Sequence, residues 1–286
     1  MSMFIQDNHK VNQIFINPYG EKKKVSSVWV NKDGIPTKVF SNTKSISDIT
    51  WQNGTYKEIS KLLELHYAGK IDIRDYWNVG DSREVSLHSI LDGNYYIGDE
   101  IVELTIIDFC HDFSINGGKA AVTIQMKDCL TEGGQMNNTK TNTCGWFNST
   151  MRVFCNTSFL RSLPTELQNL IKPVYKATMD YRGNKENPLL NTQPDSCFLL
   201  SETEVFGDAD VCAQGSKGEG SQYRYYFKQE NRKKSFNNST SLTYNSWWLR
   251  SIYTLDELSF FHIGENCKQS GDFATNYRGV SIAMCI

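Results

Sequence analysis

Short runs of β-favouring residues, each ended by turn residues, recur from about residue 84 onward. In Ala121–Lys127 the alternation is clean, and Val122, Ile124 and Met126 fall on one face, as in a strand with one buried side. Because helical patterns interrupt this set of strands, we predict an α+β fold with a mostly antiparallel sheet. The predicted strands are Glu84–Ile90, Tyr95–Phe109, Ala121–Lys127, Cys197–Leu200, Trp247–Ser251, Ser259–Ile263 and Gly279–Ile286.

Helix signals are fewer and mostly local. A threonine or serine with glutamate three residues later is a capping signal, and Ser201-Glu-Thr-Glu204 has this pattern. Proline fits the first turn of a helix but breaks its interior, so Pro173 should kink or end a helix that begins near Pro164. The predicted helices are Tyr56–Ala68 between Thr55 and Gly69, a segment from Asn148, a segment from Pro164 through Val174, and one turn after Ser201 that stops at Gly207.

Two segments near the N-terminus repeat each other. Phe15–Val25 aligns with Trp29–Val39 at a constant offset, and each reads as strand, turn and strand, with Gly20 or Asp33-Gly34 in the turn. An isolated hairpin is only marginally stable, so the repeat should dock on the main domain, on a partner or on copies of itself. We therefore predict three regions: residues 1–42 for attachment or oligomerisation, 43–74 as a linker and docking helix, and 75–286 as the main domain.

Charge and hydropathy exclude several classes of protein. The net charge is -2 and the basic runs are short, among them Asn231-Arg-Lys-Lys234, so we expect solvated loops there and no nucleic acid partner. No stretch approaches the roughly 18 apolar residues of a membrane span, so none is predicted. Met1–His9 lacks the basic and apolar regions of a signal peptide, which predicts synthesis in the cytosol.

Eight cysteines are spread at wide, irregular intervals, several of them inside apolar runs. No Cys-x-x-Cys or Cys/His cluster with zinc spacing occurs, so we expect reduced and mostly buried thiols and no metal site. The sequence also lacks the Gly-x-Ser-x-Gly, His-Glu-x-x-His, P-loop and dinucleotide-binding patterns. We accordingly predict no catalytic residues and no cofactor.

Three polar motifs have both a chemical and a plainer interpretation. Gln193-Pro-Asp195 matches a calcium-lectin tripeptide, but the Trp-Asn-Asp strand that should follow is missing. Along one strand, Asp108, Cys110 and Asp112 would share a face and His111 the other, which splits any ligand set and favours a polar strand end. Asp208-Ala-Asp210 with Glu219 could hold a cation, although a solvated acidic loop is favoured.

An ordered series of short sequence motifs in the second half of the chain resembles a family of domains in Firmicutes and their prophages. The motifs are Gly145-Trp-Phe-Asn-Ser-Thr-Met-Arg152, Leu163-Pro-Thr-Glu-Leu167, Phe198-Leu-Leu-Ser-Glu-Thr-Glu-Val-Phe-Gly207, Trp247-Trp-Leu-Arg-Ser251 and Gly279-Val280. These domains are similar to the C-type lectin-like fold, which formylglycine-generating enzymes and the variable proteins of diversity-generating retroelements also use. The resemblance implies that fold over residues 75–286. The N-terminal strand–Asn-x-x-Gly–strand units resemble prophage tail-associated proteins.

The resemblance implies a recognition surface between the last strands. In the variable lectin-like proteins the region matching Ile252–Tyr277 displays the recognition residues. The candidate ligand-binding residues here are Tyr253, Asp256, His262, Glu265, Asn266, Asp272, Asn276 and Tyr277. The expected partner is a cell-surface protein or glycan, with phage structural proteins or further copies of the chain as assembly partners and a place on a virion.

Two alternatives stay open at this point. The fold's enzyme branch uses a pair of reactive cysteines near the C-terminus, which Cys267 and Cys285 match only loosely. The chain could also be a structural protein. Trp247, Trp248 and Arg250 are interpreted as core residues, with Arg250 paired to a carboxylate, in preference to a ligand-stacking role.

Overall fold

The computed structural model divides the chain into two compact units, residues 1–49 and 50–286. None of the helices in the described part of the chain has the length and apolar character needed to cross a membrane. The structure describes residues 15–16, 23–24, 27–32, 35–41, 45–92, 95–181, 189–207, 216–237 and 246–286.

The first unit contains two antiparallel hairpins, one from each copy of the repeat. Strand β1 (Phe15–Ile16) pairs with β2 (Lys23–Lys24), and β3 (Ser27–Lys32) pairs with β4 (Ile35–Ser41). Lys32 lies opposite Ile35, so two residues connect the second pair of strands. The predicted turn residues Gly20 and Asp33-Gly34 themselves lie outside the described residues.

The second unit is built on a five-stranded sheet with the order β12-β16-β9-β8-β5. A three-stranded sheet, β13-β14-β15, and the ribbons β6-β7 and β10-β11 complete it. Every ladder between these strands is antiparallel, and helices lie between them in sequence, so the predicted α+β class is confirmed. The strands are β5 (Ser82–Leu87), β6 (Ile90–Asp92), β7 (Tyr95–Ile97), β8 (Glu100–Phe109), β9 (Val122–Met126), β10 (Val174–Asp180), β11 (Leu189–Asp195), β12 (Cys197–Phe198), β13 (Trp247–Ile252), β14 (Ser259–Ile263), β15 (Gln269–Phe273) and β16 (Ala283–Cys285).

Helix α1 (Tyr56–Tyr67) forms where the capping signal predicts it. The Thr55 side chain accepts a hydrogen bond from the Glu58 backbone, and the Glu58 side chain accepts one from the Thr55 backbone, which completes a capping box. Ile59, Leu62 and Leu63 form its buried face. Gly69 follows with φ of 67°, a left-handed conformation that costs glycine little and ends the helix.

Replacing Thr55 with alanine should lower the free energy of unfolding by about 1 kcal/mol, because the Glu58 backbone N–H at the start of α1 loses its side-chain acceptor. Urea denaturation measures this change. Ser60→Ala lies in the same helix but away from the cap, and serves as the control. Equal midpoints for the two variants would show that the cap contributes nothing.

Helical segments follow the signals at Asn148 and Pro164, and the second is shorter than predicted. Helix α2 (Thr150–Phe154) starts from a Ser149 cap, passes into a π-helical turn, Cys155–Phe159, and ends as α3 (Leu160–Ser162). Helix α4 covers only Thr165–Gln168, and Val174 already belongs to β10, so the prediction of a helix through Val174 was wrong. Pro173 explains the difference, because it lacks an N–H and disfavours helical geometry in the residue before it.

Helix α5 (Glu202–Phe206) confirms the second predicted capping box. The Ser201 side chain accepts from the Glu204 backbone, and the Glu204 carboxylate accepts from the Ser201 backbone. Gly207 ends the helix with φ of 82°. All five residues of this short helix are buried, which places the Glu204 carboxylate inside the molecule.

Strand β8 ends at Phe109, as predicted, because Cys110 takes φ of 49°, in the left-handed region. Asp108 and Asp112 therefore do not share a strand face. The last strand covers Ala283–Cys285 only, a shorter span than the predicted Gly279–Ile286. It nevertheless lies inside the main sheet, between β9 and β12.

Candidate functional site

Arg250 lies at one end of a buried chain of charges. Its side chain is fully buried in β13, and its guanidinium donates to both oxygens of Glu204. Lys176, on β10, donates to Glu204 from the other side and to Asp112 at 2.7 Å. The predicted pairing of Arg250 with a carboxylate is therefore confirmed, within a chain of four alternating charges that joins β10, α5, β13 and the segment after β8.

These charges stabilise one another in their ionised forms. Burial alone would raise the pKa of Asp112, but the Lys176 ammonium holds that pKa well below its usual range. Burial opposes ionisation of Glu204 too, yet Arg250 and Lys176 keep its pKa below normal. Because each charge has an opposite neighbour at hydrogen-bond distance, the chain supports the fold instead of leaving a reactive group.

Glu219 lies beside this chain, and no cation in the described part of the sequence forms an ion pair with its carboxylate. It is fully buried, so the prediction of a solvated acidic loop is wrong for this residue. Thr178 Oγ1 and the Met179 backbone donate to Oε1 at 3.0 and 2.6 Å, and Ser251 donates to Oε2. Burial raises the pKa of Glu219 to about 7. The other members of this motif, Asp208 and Asp210, lie outside the described residues.

At the edge of the charge chain a serine and a histidine meet. Ser221 Oγ lies 3.0 Å from His111 Nε2, and the His111 ring packs against Tyr223 with centroids 4.1 Å apart. His111 Nδ1 lies 3.5 Å from Asp112 Oδ1 but makes no hydrogen bond. Asp112 instead accepts from Lys176, Tyr223 and Thr123. The pair therefore lacks the orienting bond that activates a serine nucleophile.

The thiols are mostly buried, as predicted. Of the seven described cysteines, five are buried and all are free, while Cys212 lies outside the described residues. Burial raises the pKa of Cys129 to about 12 and that of Cys285 well above normal, so neither is a thiolate at neutral pH. Cys267 lies in the turn between β14 and β15, whereas Cys285 lies in the interior strand β16. The two thiols therefore do not form a vicinal reactive pair.

Two other polar residues, Asp195 and Lys234, have structural roles. Asp195 is buried and accepts from Trp146 Nε1 at 2.9 Å and from Arg152 Nε at 2.6 Å, so the Gln193-Pro-Asp195 carboxylate holds β11 in place. Lys234, predicted to be solvated, is also buried, and its ammonium donates to the carbonyls of Met126 and Lys127. With no carboxylate among these partners, burial lowers its pKa to about 8.

The aromatic block of β13 is core, as predicted. Trp247 and Trp248 are fully buried, and their ring N–H groups donate to the carbonyls of Arg232 and Gly134. A buried indole with its N–H satisfied stabilises by apolar burial and leaves no face for a ligand.

The eight predicted ligand-binding residues do not form one surface. Strands β13, β14 and β15 are antiparallel, so the turn that contains Tyr253 and Asp256 lies at one end of the sheet. Glu265 and Asn266 lie in the turn at the other end, separated by the five residues of β14, or about 17 Å. His262 is only 8% exposed and packs edge-on against Trp248, so its side chain belongs to the interior.

Asp272 and Asn276 mainly contact each other. Asn276 Nδ2 donates to Asp272 Oδ1 at 2.6 Å, and Arg278 forms an ion pair with the same carboxylate. These contacts fix the chain after β15 and leave the Tyr277 side chain 56% exposed. Of the predicted set, Tyr277, Glu265 and Asn266 are exposed, whereas Tyr253 is half-buried against Phe261.

The turn between β13 and β14 is held rigidly from inside. Asn142 is fully buried, and its Nδ2 lies 2.5 Å from the Ser259 carbonyl, 3.1 Å from that of Asp256 and 3.2 Å from that of Tyr253. Asp256 accepts from the Leu258 backbone and from Ser259 Oγ, both at 2.8 Å. These hydrogen bonds brace the backbone of the turn from within the protein.

This rigid turn presents apolar side chains to solvent. Leu255 is 80% exposed, Leu258 37% and Phe273, at the adjoining end of β15, 38%. We call these three residues the apolar turn. Lys140 Nζ lies 3.0 Å from the centroid of the Phe273 ring, which adds a positive charge at its edge. A signal for this surface is present in the sequence, because the two leucines of the polar segment Thr254-Leu-Asp-Glu-Leu258 have no alternating pattern that would bury them.

One comparison with known proteins bears on this half of the chain. The model of a family described as a domain of unknown function, DUF6273, matches residues 120–286, which include the apolar turn and three members of the charge chain, Lys176, Glu204 and Arg250. Neither the curated proteins nor the solved structures contain a significant match. Since the matched residues make up more than half of the sequence, the chain belongs to the DUF6273 family.

Proposed function

We propose that this protein is a non-enzymatic recognition module of phage or prophage type, which binds a bacterial cell-surface ligand through the end of the β13-β14-β15 sheet. The main observation in support is the apolar turn, where Leu255 is 80% exposed on a backbone that Asn142 and Asp256 hold fixed. Apolar side chains grouped on one exposed turn are a feature of protein-interaction sites.

Rigidity favours this interpretation because binding then orders little of the chain. Immobilising loops and side chains on association typically costs about 0.5–1.5 kcal/mol for each flexible side chain, and a preformed turn avoids part of that cost. Leucine and phenylalanine side chains beside a lysine are better matched to the surface of a protein ligand than to a sugar ligand. Of the two ligands that the sequence suggests, a cell-surface protein is therefore the one proposed for this turn. The N-terminal hairpins would serve for attachment or self-association.

The enzyme alternative finds less support in the geometry. A formylglycine-generating type of chemistry needs a reactive thiol pair, and Cys285 is buried with its pKa raised, on a different element from Cys267. Ser221 and His111 lack the third, orienting hydrogen bond. The C-type lectin-like resemblance of the sequence supports a display role, because domains of that kind present variable loops on a fixed sheet.

Binding of the fluorescently labelled protein to a panel of intact Firmicutes cells tests the proposal. Leu255→Asp should weaken binding at least tenfold, because a charge replaces an apolar contact worth about 1.5–3 kcal/mol when buried. Protease treatment of the cells should abolish binding, whereas periodate oxidation of their glycans should not.

Glu265→Ala and Asn266→Ala are the matched controls, since both residues are exposed at the opposite end of the same sheet. Their binding should equal that of the parent protein. A parent protein that binds no strain in the panel, or a Leu255→Asp variant that binds as well as the parent, would contradict the proposed surface.

A further inference from the structure

Three neighbouring clefts in the second unit share lining residues. The central cleft, of about 510 Å³, is lined by residues that include Tyr76, Asn78, Asp81 and Tyr225. It shares Glu103 with a second cleft of about 290 Å³ on the face of β8 and β9. At its other end it shares Gly80 and Tyr225 with a third, of about 270 Å³. We call the three together the polar groove.

The shape of the groove suits a chain-like ligand. Three linked clefts with shared walls can hold successive units of a polymer, whereas a compact small molecule would fill only one. Each volume is near or within the range of about 300–1,000 Å³ that is typical of ligand sites. None of the residues of the apolar turn lines the groove, so this is a separate site.

The walls are preformed. Asp81 accepts from the Asn78 backbone at 2.8 Å, which closes a tight turn around Gly80. Gly80 has φ of 100°, and a Cβ added there would meet no atom within 4 Å, so this backbone faces open space between two clefts. On the opposite wall Asn231 Nδ2 donates to the Tyr225 carbonyl at 2.6 Å, which anchors that tyrosine.

The charges of the groove argue against an anionic ligand. Lys127 pairs with Glu103 at 2.8 Å, and Arg224 pairs with Asp108 at 2.6 Å, so two of its cations are already neutralised. Among the described lining residues, acidic side chains outnumber basic ones: Asp81, Glu84, Glu103, Asp128 and Glu230 against Lys127, Arg224 and Lys228. Nucleic acids, phosphates and acidic polymers would be repelled.

The remaining chemistry is that of a polyhydroxylated ligand. Two half-buried tyrosines, Tyr76 and Tyr225, offer ring faces for the C–H faces of sugar rings and hydroxyls for hydrogen bonds. Amide and carboxylate groups of Gln52, Asn78 and Asp81 lie around them and can donate to or accept from hydroxyl pairs. An extended peptide would instead need apolar side-chain pockets, and the central cleft is mainly polar in its lining residues.

We propose that the polar groove is a second binding site, for a linear neutral oligosaccharide, with Tyr76 and Tyr225 as its stacking residues. The sugar units would follow one another from the cleft at Asp128 through the central cleft to the cleft at Lys228.

Calorimetric titration with graded linear neutral oligosaccharides, of hexose and of N-acetylhexosamine units and one to six units long, tests this assignment. Affinity should rise with length as successive clefts are filled and then level off. Tyr225→Ala and Tyr76→Ala should each weaken binding about fivefold to tenfold, the loss expected for one aromatic stacking partner. Asn78→Ala, an exposed change that leaves the backbone turn in place, should also weaken binding and guards against misfolding of the tyrosine variants.

Tyr175→Ala is the control, because Tyr175 is 47% exposed on β10 and lines none of the three clefts. It should bind as the parent does, and so should Leu255→Asp. The proposal is overturned if no oligosaccharide in the series binds at millimolar concentration, or if binding is independent of Tyr76, Tyr225 and Asn78. Tyrosine-dependent binding of extended peptides without sugar binding would equally overturn it.

Discussion

Replacing Arg250 with methionine should lower the free energy of unfolding by about 3–5 kcal/mol, the typical cost of removing one partner from a buried ion pair. Methionine fills a similar volume but leaves Glu204 with only Lys176 to balance its charge. It also removes the donors that satisfy the carbonyls of Ala177, Leu199 and Glu219. Urea denaturation followed by tryptophan fluorescence would measure the loss, because the five tryptophans of the second unit are all buried.

The matched control is Arg74→Met. Arg74 also pairs with a carboxylate, Asp72, but both side chains are at least one-third exposed. An exposed pair contributes about 0–1 kcal/mol, so this change should be mild. In the double variant Arg250→Met/Glu204→Gln part of the stability should return, since no uncompensated carboxylate remains. If Arg250→Met proves as mild as Arg74→Met, the charge chain does not support the fold.

The stability of the protein should fall as pH rises from about 5 to about 7.5, and Glu219 is the cause. Its folded-state pKa is raised from the usual 4.5 to about 7, so in this window the folded state binds a proton that the unfolded state has lost. The stability that the Glu219 proton contributes is fully present below pH 4.5 and is lost as the pH rises through 7. At about 1.4 kcal/mol for each pH unit between the two values, the loss is about 3 kcal/mol.

Glu219→Gln should flatten this dependence, because glutamine resembles the protonated acid and cannot ionise. Glu265→Gln, at an exposed position, should leave the pH profile of the parent unchanged. Below about pH 4 both proteins should lose stability, because the lowered pKa values of Asp112 and Glu204 act with the opposite sign there. A Glu219→Gln profile that keeps the parent's slope between pH 5 and 7.5 would assign the effect to another group.

Local signals in the sequence predicted local structure well. The capping residues Thr55 and Ser201 and the stops at Gly69 and Gly207 depend on neighbours within four residues, and all four act as predicted. The α+β class follows from strand patterns that are equally local. The helix after Pro164 was predicted too long, because the pairing of Val174 with Asp195 decides that segment.

The charged interior could not be predicted in the same way. Asp112 and Lys176 are 64 residues apart in sequence, and Glu204 and Arg250 are 46 apart, so no spacing rule joins them. Glu219 and Lys234 look like surface residues because most acids and lysines are. The candidate site depends on the same distant contacts, since Asn142 fixes a turn more than 110 residues away. The sequence predicted a recognition surface between β13 and β16, but it did not single out Leu255.

The position of β16 has a consequence for how fast the chain can fold. This strand fills the gap between β12 and β9, and Thr123 meets Cys285 across 162 residues of sequence. Closing so long a loop before the ladder forms costs entropy, and contacts of this range slow folding. Until β16 arrives, β9 presents an unpaired edge to other chains. We therefore expect refolding times much longer than microseconds, with aggregation competing with refolding at high protein concentration.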